Sequence, residues 1–288
     1  MTTYDLHQHL WPQAFVEELL ARTTAPCLDG RNLVVNEGRF PFDAAEHELE
    51  LRLAALDRDE IDVAVVSLQP TLGIAALDED ARSRLDAAWV SGMRELVGLA
   101  HGRLAALAPD CVLDGFVGTS VSTSALTDLD SCAPLLDEVS RGGGVLFVHP
   151  GPVHPRADAP PWWAGIVDYA ADMQAAWFSW LDAGRSRWPE LRVVFSILAG
   201  GAPFHLERLA LRSPLDVRSM LDANVYLDVA THGRRAIELC IETFGVEQLV
   251  YGSDAPVVDP APTLRAIRGF GHAVTRIVQS DNPARLLQ

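Results

Sequence analysis

Apolar residues in this chain gather into short unbroken runs, separated by longer stretches of helical periodicity. Ile61-Asp62-Val63-Ala64-Val65-Val66-Ser67-Leu68, Val145-Leu146-Phe147-Val148 and Leu191-Arg192-Val193-Val194-Phe195-Ser196-Ile197-Leu198 are such runs. Strands that do not alternate are those of a parallel sheet covered on both faces. Eight strands are predicted, near residues 3–8, 62–68, 104–108, 115–121, 145–149, 192–197, 225–229 and 249–253. Between them, residues 13–42 read as a short amphipathic piece (Ala14 to Arg22) followed by a Gly- and Pro-containing loop. Asp43 caps a predicted helix through Leu56, with Leu49, Leu53 and Leu56 at helical spacing. Further helices are predicted at about Glu79 to His101 and Ser131 to Arg141, in the region before Asn224, and from about Pro262 to the end. No repeat, linker or shift of composition divides residues 1–288. Eight βα units in a single domain of that length imply an α/β fold, a (β/α)8 TIM barrel, with a doubly wound sheet as the alternative.

Composition narrows the chemistry. Hydrophobic residues make up 49% and charged ones 22%, an ordinary globular balance. The net charge of −16 argues against nucleic acid or an anionic membrane as a partner and leaves a small molecule. All 23 basic residues are Arg. Without Lys there is no Schiff base, no P-loop lysine and no carbamylated lysine to bridge two metal ions. Cys27, Cys111, Cys132 and Cys240 are scattered and read as reduced thiols. With neither a signal-like N-terminus nor an apolar stretch of ~20 residues, a cytoplasmic protein is expected.

The barrel reading makes a demand, because active sites in this fold lie at the C-terminal ends of the strands. In Asp5-Leu6-His7-Gln8-His9 the alternation of a strand puts Asp5, His7 and His9 on one face. His149 ends the fifth predicted strand and Asp254 the eighth. Three imidazoles and a carboxylate at one end of a closed ring suit a divalent metal, Zn2+ first, with Mn2+, Fe2+ and Co2+ as further fits. His47, among acidic residues, reads as a solvated surface group.

The chain resembles the amidohydrolase superfamily, in the amidohydrolase-related branch that includes aminocarboxymuconate-semialdehyde decarboxylase. The resemblance rests on Asp5-Leu6-His7-Gln8-His9-Leu10-Trp11-Pro12, on Arg52-Leu53-Ala54-Ala55-Leu56-Asp57 to Ile61-Asp62-Val63, and on His149-Pro150-Gly151. It continues through Gly200-Gly201-Ala202-Pro203-Phe204, Asn224-Val225-Tyr226-Leu227-Asp228, Tyr251-Gly252-Ser253-Asp254-Ala255-Pro256 and Asn282-Pro283-Ala284-Arg285-Leu286-Leu287, in the family's order. It implies a distorted barrel with one catalytic divalent metal, usually zinc, held by His7, His9, His149 and Asp254, and a branch that often forms homodimers. In hydrolytic members a metal-activated water attacks a carbonyl, and Asp254 would take its proton. In decarboxylases the metal orients and polarises the substrate while a carbon is protonated.

One departure stands out. The family commonly carries a His at the end of strand six, where this chain has Ile197, which can neither hydrogen-bond nor move a proton. His232, just past strand seven, is the first candidate to replace it as acid or base, ahead of His154 and His205. Trp11, Trp162 and Trp163 fall in loops on the metal side and are candidate walls of a substrate pocket. Arg156, Arg234 and Arg235 are candidate holders of a substrate carboxylate, whereas Trp177, Trp180 and Trp188 read as packing residues. The first reading is hydrolysis of a small ester, lactone or amide. The alternatives are decarboxylation of an aromatic or unsaturated acid, and a barrel that binds but has lost catalysis.

Overall fold

The structure is a computed structural model and describes the whole chain except residues 155, 157 and 215–221. The last of these fall in the helical region predicted before Asn224, so that part of the prediction lies outside the described residues. Strand β1 (Tyr4–Gln8) opens the chain, and β2 (Cys27–Asp29), β3 (Asn32–Val35) and β4 (Gly38–Pro41) form a small antiparallel sheet. The remaining strands are β5 (Val63–Val66), β6 (Leu104–Pro109), β7 (Gly118–Ser122), β8 (Val145–His149), β9 (Arg192–Phe195), β10 (Val225–Asp228) and β11 (Leu249–Val250). With β1 they make one 8-stranded sheet in the order β1-β5-β6-β7-β8-β9-β10-β11, every pair parallel. The ring closes where Leu6 N–H donates to Tyr251 O (2.9 Å) and His9 N–H to Ala255 O (2.8 Å). This is the (β/α)8 barrel predicted from the unbroken apolar runs.

Those runs are apolar throughout because both faces of each strand are covered. Leu6, Val65, Leu107, Val145, Phe147, Val194, Tyr226 and Val250 fill the barrel interior. Their outward neighbours, such as Ala64, Val66, Leu146, Val193 and Phe195, pack with the helices in the larger core. The helix Glu79–Leu99 shows how a helix docks there. Asp78 caps it by accepting from Ala81 N–H (2.9 Å), and Ala81, Leu85, Trp89 and Met93, spaced four apart, are buried against the barrel. Each of the larger ones contributes about 2 kcal/mol by leaving water. Trp177, Trp180 and Trp188 are also buried, in the packing role expected of them.

Three local predictions change. Residues 27–41, read as a loop, form β2, β3 and β4, because two-residue turns at Gly30-Arg31 and Asn36-Glu37 fold the segment back on itself twice. The helix from Asp43 is broken: a 3-10 turn (Ala44–His47) is capped by Asp43, Glu48 is extended, and the α-helix starts at Leu49. The C-terminal helix is a series of pieces, Ala261–Arg268, His272–Arg276, a π-turn at Ile277–Asp281 and Asn282–Leu286. No helix among the described residues is long and apolar enough to cross a membrane, and all four cysteines are free.

Candidate metal centre

The C-terminal end of β1 does not follow simple alternation. Asp5 pairs with Ala64 but Gln8 pairs with Val66, so β1 carries one residue more than β5 over this step. That bulge lets Leu6 join the apolar floor while His7, next in sequence, also faces the barrel, with its ring 5.0 Å from Phe147. Asp5, predicted to share their face, lies apart from the cluster that His7 and His9 enter. It accepts from Ser253 N–H (3.0 Å), from the Gln8 amide (2.7 Å) and from His7 N–H (3.2 Å), tying β1 to the end of β11.

His7, His9, His149 and Asp254 converge, with one ligand atom from each lying within 4.8 Å of the others. His7 Nε2 and His9 Nε2 are 3.2 Å apart, and Asp254 Oδ1 is 3.1 Å from His9 Nε2 and 3.5 Å from His7 Nε2. Each imidazole is oriented from behind. His7 Nδ1–H donates to Asp228 Oδ2 (2.6 Å), His9 Nδ1–H to Ser67 O (3.0 Å) and His149 Nδ1–H to Pro150 O (2.9 Å). A carbonyl only accepts, so those contacts set the tautomers and turn the Nε2 lone pairs inward. Asp228 is itself held by Ala230 N–H on Oδ1 (2.8 Å).

This donor set fits a metal ion. Ligands at a tetrahedral ion with bonds near 2.0–2.1 Å stand about 3.3 Å apart, close to the separations among His7, His9 and Asp254. Three inward lone pairs and a carboxylate also form an electron-rich hole that calls for a cation. The absence of Lys leaves no carbamate to bridge a second ion. The three histidines are buried, and the Asp254 side chain, 17% exposed, is the cluster's opening to solvent.

Charge follows this layout. Burial drives the His7 imidazolium down, but the Asp228 carboxylate overcomes it and raises the pKa to about 9. Burial holds His9 below the ordinary value and His149 well below it. Burial would raise Asp254, yet the His9 hydrogen bond and the surrounding imidazoles keep it lowered. Metal uptake must therefore displace the His7 proton. Calorimetry in buffers of different ionisation enthalpy is expected to show about one proton released per ion near neutral pH, with affinity rising until pH passes about 9. No release would contradict the assignment of His7. In the metal-free protein the raised His7 stabilises the fold fully below pH 6.5 and loses that contribution as pH rises through about 9.

A buried guanidinium braces the centre. Arg52, 4% exposed, donates to Gln8 Oε1 (3.0 Å), His9 O (3.2 Å) and Glu46 O (2.8 Å), and burial lowers its pKa to about 10. Arg52→Ala leaves these acceptors without their donor and is expected to cost about 3 kcal/mol in denaturant melts. A loss below 1 kcal/mol would show that the network is not structural.

The other site candidates are spread out. Trp11 is in the core, 3% exposed: its indole N–H donates to Gln69 (2.7 Å), and its ring stacks with Phe42 (5.4 Å) and His47 (4.8 Å). His47 is correspondingly not a solvated group. Its Nδ1 accepts from Trp11 N–H (3.0 Å), and burial with Arg52 nearby lowers its pKa to about 3. His232 is half-buried beyond β10, with Nδ1–H donated to Ala230 O (2.7 Å). Arg234 is spent on Gly269 O (2.8 Å) and the Phe270 ring (4.6 Å). Trp162 is exposed. Trp163, Arg156 and His154 line a cleft of about 190 Å3 whose opposite wall is the hairpin, at Glu37, Arg39 and Phe40. Arg156 lies over the Trp163 ring (5.7 Å) and pairs with Asp168 (3.3 Å).

Sequence reasoning missed Glu37 and Tyr169. The Tyr169 phenol donates to the Glu37 carboxylate, and burial together with the charges of Glu37 and Asp254 raises its pKa. Glu37 stands on the wall of the same cleft as Trp163 and Arg156, with the Tyr169 hydroxyl against it. Asp29-Gly30 and Asn36-Glu37-Gly38 were the readable turn signals for the hairpin that brings Glu37 there.

No family model matches the chain. It is similar to 2-amino-3-carboxymuconate-6-semialdehyde decarboxylase from Dictyostelium discoideum, 21% identical over 327 residues, covering 98% of this chain and 90% of that protein. Among solved structures it resembles 2,6-dihydroxybenzoate decarboxylase from Rhizobium, with TM-score 0.75, 16% identity, and 100% and 98% of the two chains covered. It also resembles 5-carboxyvanillate decarboxylase from Novosphingobium aromaticivorans, solved with manganese and 3-methoxy-4-hydroxy-5-nitrobenzoic acid, with TM-score 0.75, 14% identity, and 99% and 97% covered. The resemblance read from the sequence, to the branch that includes aminocarboxymuconate-semialdehyde decarboxylase, is borne out as a likeness of sequence and fold.

Proposed function

We propose that this protein decarboxylates an aromatic or unsaturated carboxylic acid at one divalent metal ion held by His7, His9, His149 and Asp254. The observation that carries the reading is the convergence of three oriented Nε2 atoms with the partly exposed Asp254 carboxylate at the barrel mouth. Full-length similarity to decarboxylases turns the choice from hydrolysis, the first reading of the sequence, to its alternative. Either Zn2+ or Mn2+ suits the donor set.

When bound, the metal supplies charge to bind and polarise the acid. Asp254 relays the proton: its partly exposed carboxylate takes one from solvent only in passing and delivers it to the carbon that loses its carboxylate. The C–C bond breaks with its electron pair left on that carbon, the proton joins it, and CO2 leaves. His232, whose Nε2 has no hydrogen-bond partner among the described residues, lies just past the end of β10 and is assigned the exchange of that proton with solvent. Trp163 offers a ring face and a buried indole N–H without a partner among the described residues. Trp163 and Arg156 are assigned to the path by which an anionic aromatic enters, and Trp162 to its rim. Trp11 supports the site from the core.

The test is a panel of hydroxybenzoates and unsaturated acids beside esters, lactones and amides, given to protein loaded with Mn2+ or Zn2+. CO2 release from at least one acid, with no turnover of the hydrolytic set, is expected. Ester or lactone hydrolysis without CO2 release would overturn the reading.

A further inference from the structure

The departure at strand six leaves a hydroxyl in the same layer as the metal centre. Parallel register pairs Val148 with Phe195 and Phe195 with Leu227. One residue further along, Ser196 stands between His149 and Asp228. Val194, two residues earlier, belongs to the barrel floor, and side chains two apart in a strand share a face. Ser196 therefore faces the interior at the level of His149 and Asp228, while Ile197 packs partly buried against the outer core.

Ser196 is fully buried, at 0% exposure, and its amide donates to Val148 O (3.1 Å). Its Oγ has no hydrogen-bond partner among the described residues. The polar groups beside it are engaged elsewhere: Asp228 with His7 and Ala230 N–H, and His149 Nδ1 with Pro150 O. A buried hydroxyl with no partner costs stability, and that cost is relieved when a ligand oxygen reaches it.

We propose that Ser196 Oγ–H donates a hydrogen bond to a carboxylate oxygen of the substrate, taking up on strand six the substrate contact that Ile197 cannot make. The proposal rests on the decarboxylase reading for the carboxylate as its partner. A neutral donor orients the carboxylate by direction more than by charge. Little attraction is then lost as the negative charge moves from the carboxylate onto carbon and CO2 departs.

Formate, the smallest carboxylate, tests this without knowledge of the substrate. Cobalt-loaded protein is titrated with formate, binding is followed by visible absorption, and melting temperatures are recorded. Ser196→Ala is expected to weaken formate binding about tenfold, with cobalt content unchanged and a melting temperature equal or higher, since no internal bond is lost. Ser196→Thr, which keeps the hydroxyl, is expected to retain most of the binding. Ser120 is a matched control: it pairs with Phe147 one layer deeper, and its Oγ is also buried and unpartnered. Ser120→Ala is expected to leave formate binding unchanged. The proposal is overturned if native protein does not bind formate, if Ser196→Ala binds it equally well, or if Ser196→Ala melts lower. Formate binding that depends on Ser196, in a protein that decarboxylates no acid, would uphold the contact and reject the reaction.

Discussion

His149→Ala is expected to abolish metal retention and, with it, CO2 release. His149 is the ligand that β8 alone supplies, and its ring stands 5.1 Å from His7 and 5.2 Å from His9, centroid to centroid. Its loss leaves a buried gap beside three remaining donors that cannot close around an ion. A loss of roughly a thousandfold or more in metal affinity is expected, beyond the 10–100-fold typical of groups that only orient a ligand. Metal analysis after dialysis and the CO2 assay both read the outcome. Folding need not suffer, because in the metal-free protein the His149 imidazole is held neutral by burial and makes one hydrogen bond. A His149→Ala protein that keeps a full equivalent of metal would remove His149 from the centre.

Gly252→Ala is the second change with a large expected effect, although glycine carries no chemistry. A Cβ at this position would lie 2.1 Å from Asp228 Oδ1 and 2.6 Å from His7 Cβ. Neither neighbour can yield, because Asp228 is fixed between His7 Nδ1 and Ala230 N–H. The methyl group must therefore push apart the contact that orients His7. A loss of 10–100-fold in metal affinity is expected, together with about 1–3 kcal/mol of stability from overpacking. Thermal melts of the metal-free protein separate the two effects. A variant with native metal affinity would show that the His7–Asp228 contact does not set the ligand geometry.

Much of this was legible in the sequence, for physical reasons. Strands covered on both faces leave uninterrupted apolar runs, so all eight barrel strands could be placed, and the barrel in turn brought His7, His9, His149 and Asp254 to one end. What escaped notice depends on contacts between distant segments. Trp11 reads as a loop aromatic, but Phe42, His47 and Gln69 gather around it and make it core. The bulge in β1 is a mismatch with β5, which no periodicity within β1 announces. Asp228 looked like the end of a strand, and only the fold brings it to His7, 221 residues away in sequence. Ser196 was hidden by its neighbour Ile197, and only the register of β9, carried one residue past Phe195, turns the serine inward.

The central claim is that one divalent ion, held by these four side chains, makes the protein a decarboxylase. Titration of metal-free protein with manganese, the ion bound in the Novosphingobium relative, tests it most directly when CO2 release from an accepted aromatic acid is followed at each addition. The rate is expected to climb linearly and to stop at one ion per chain. A break at two ions per chain, or CO2 release indifferent to the metal, would contradict it.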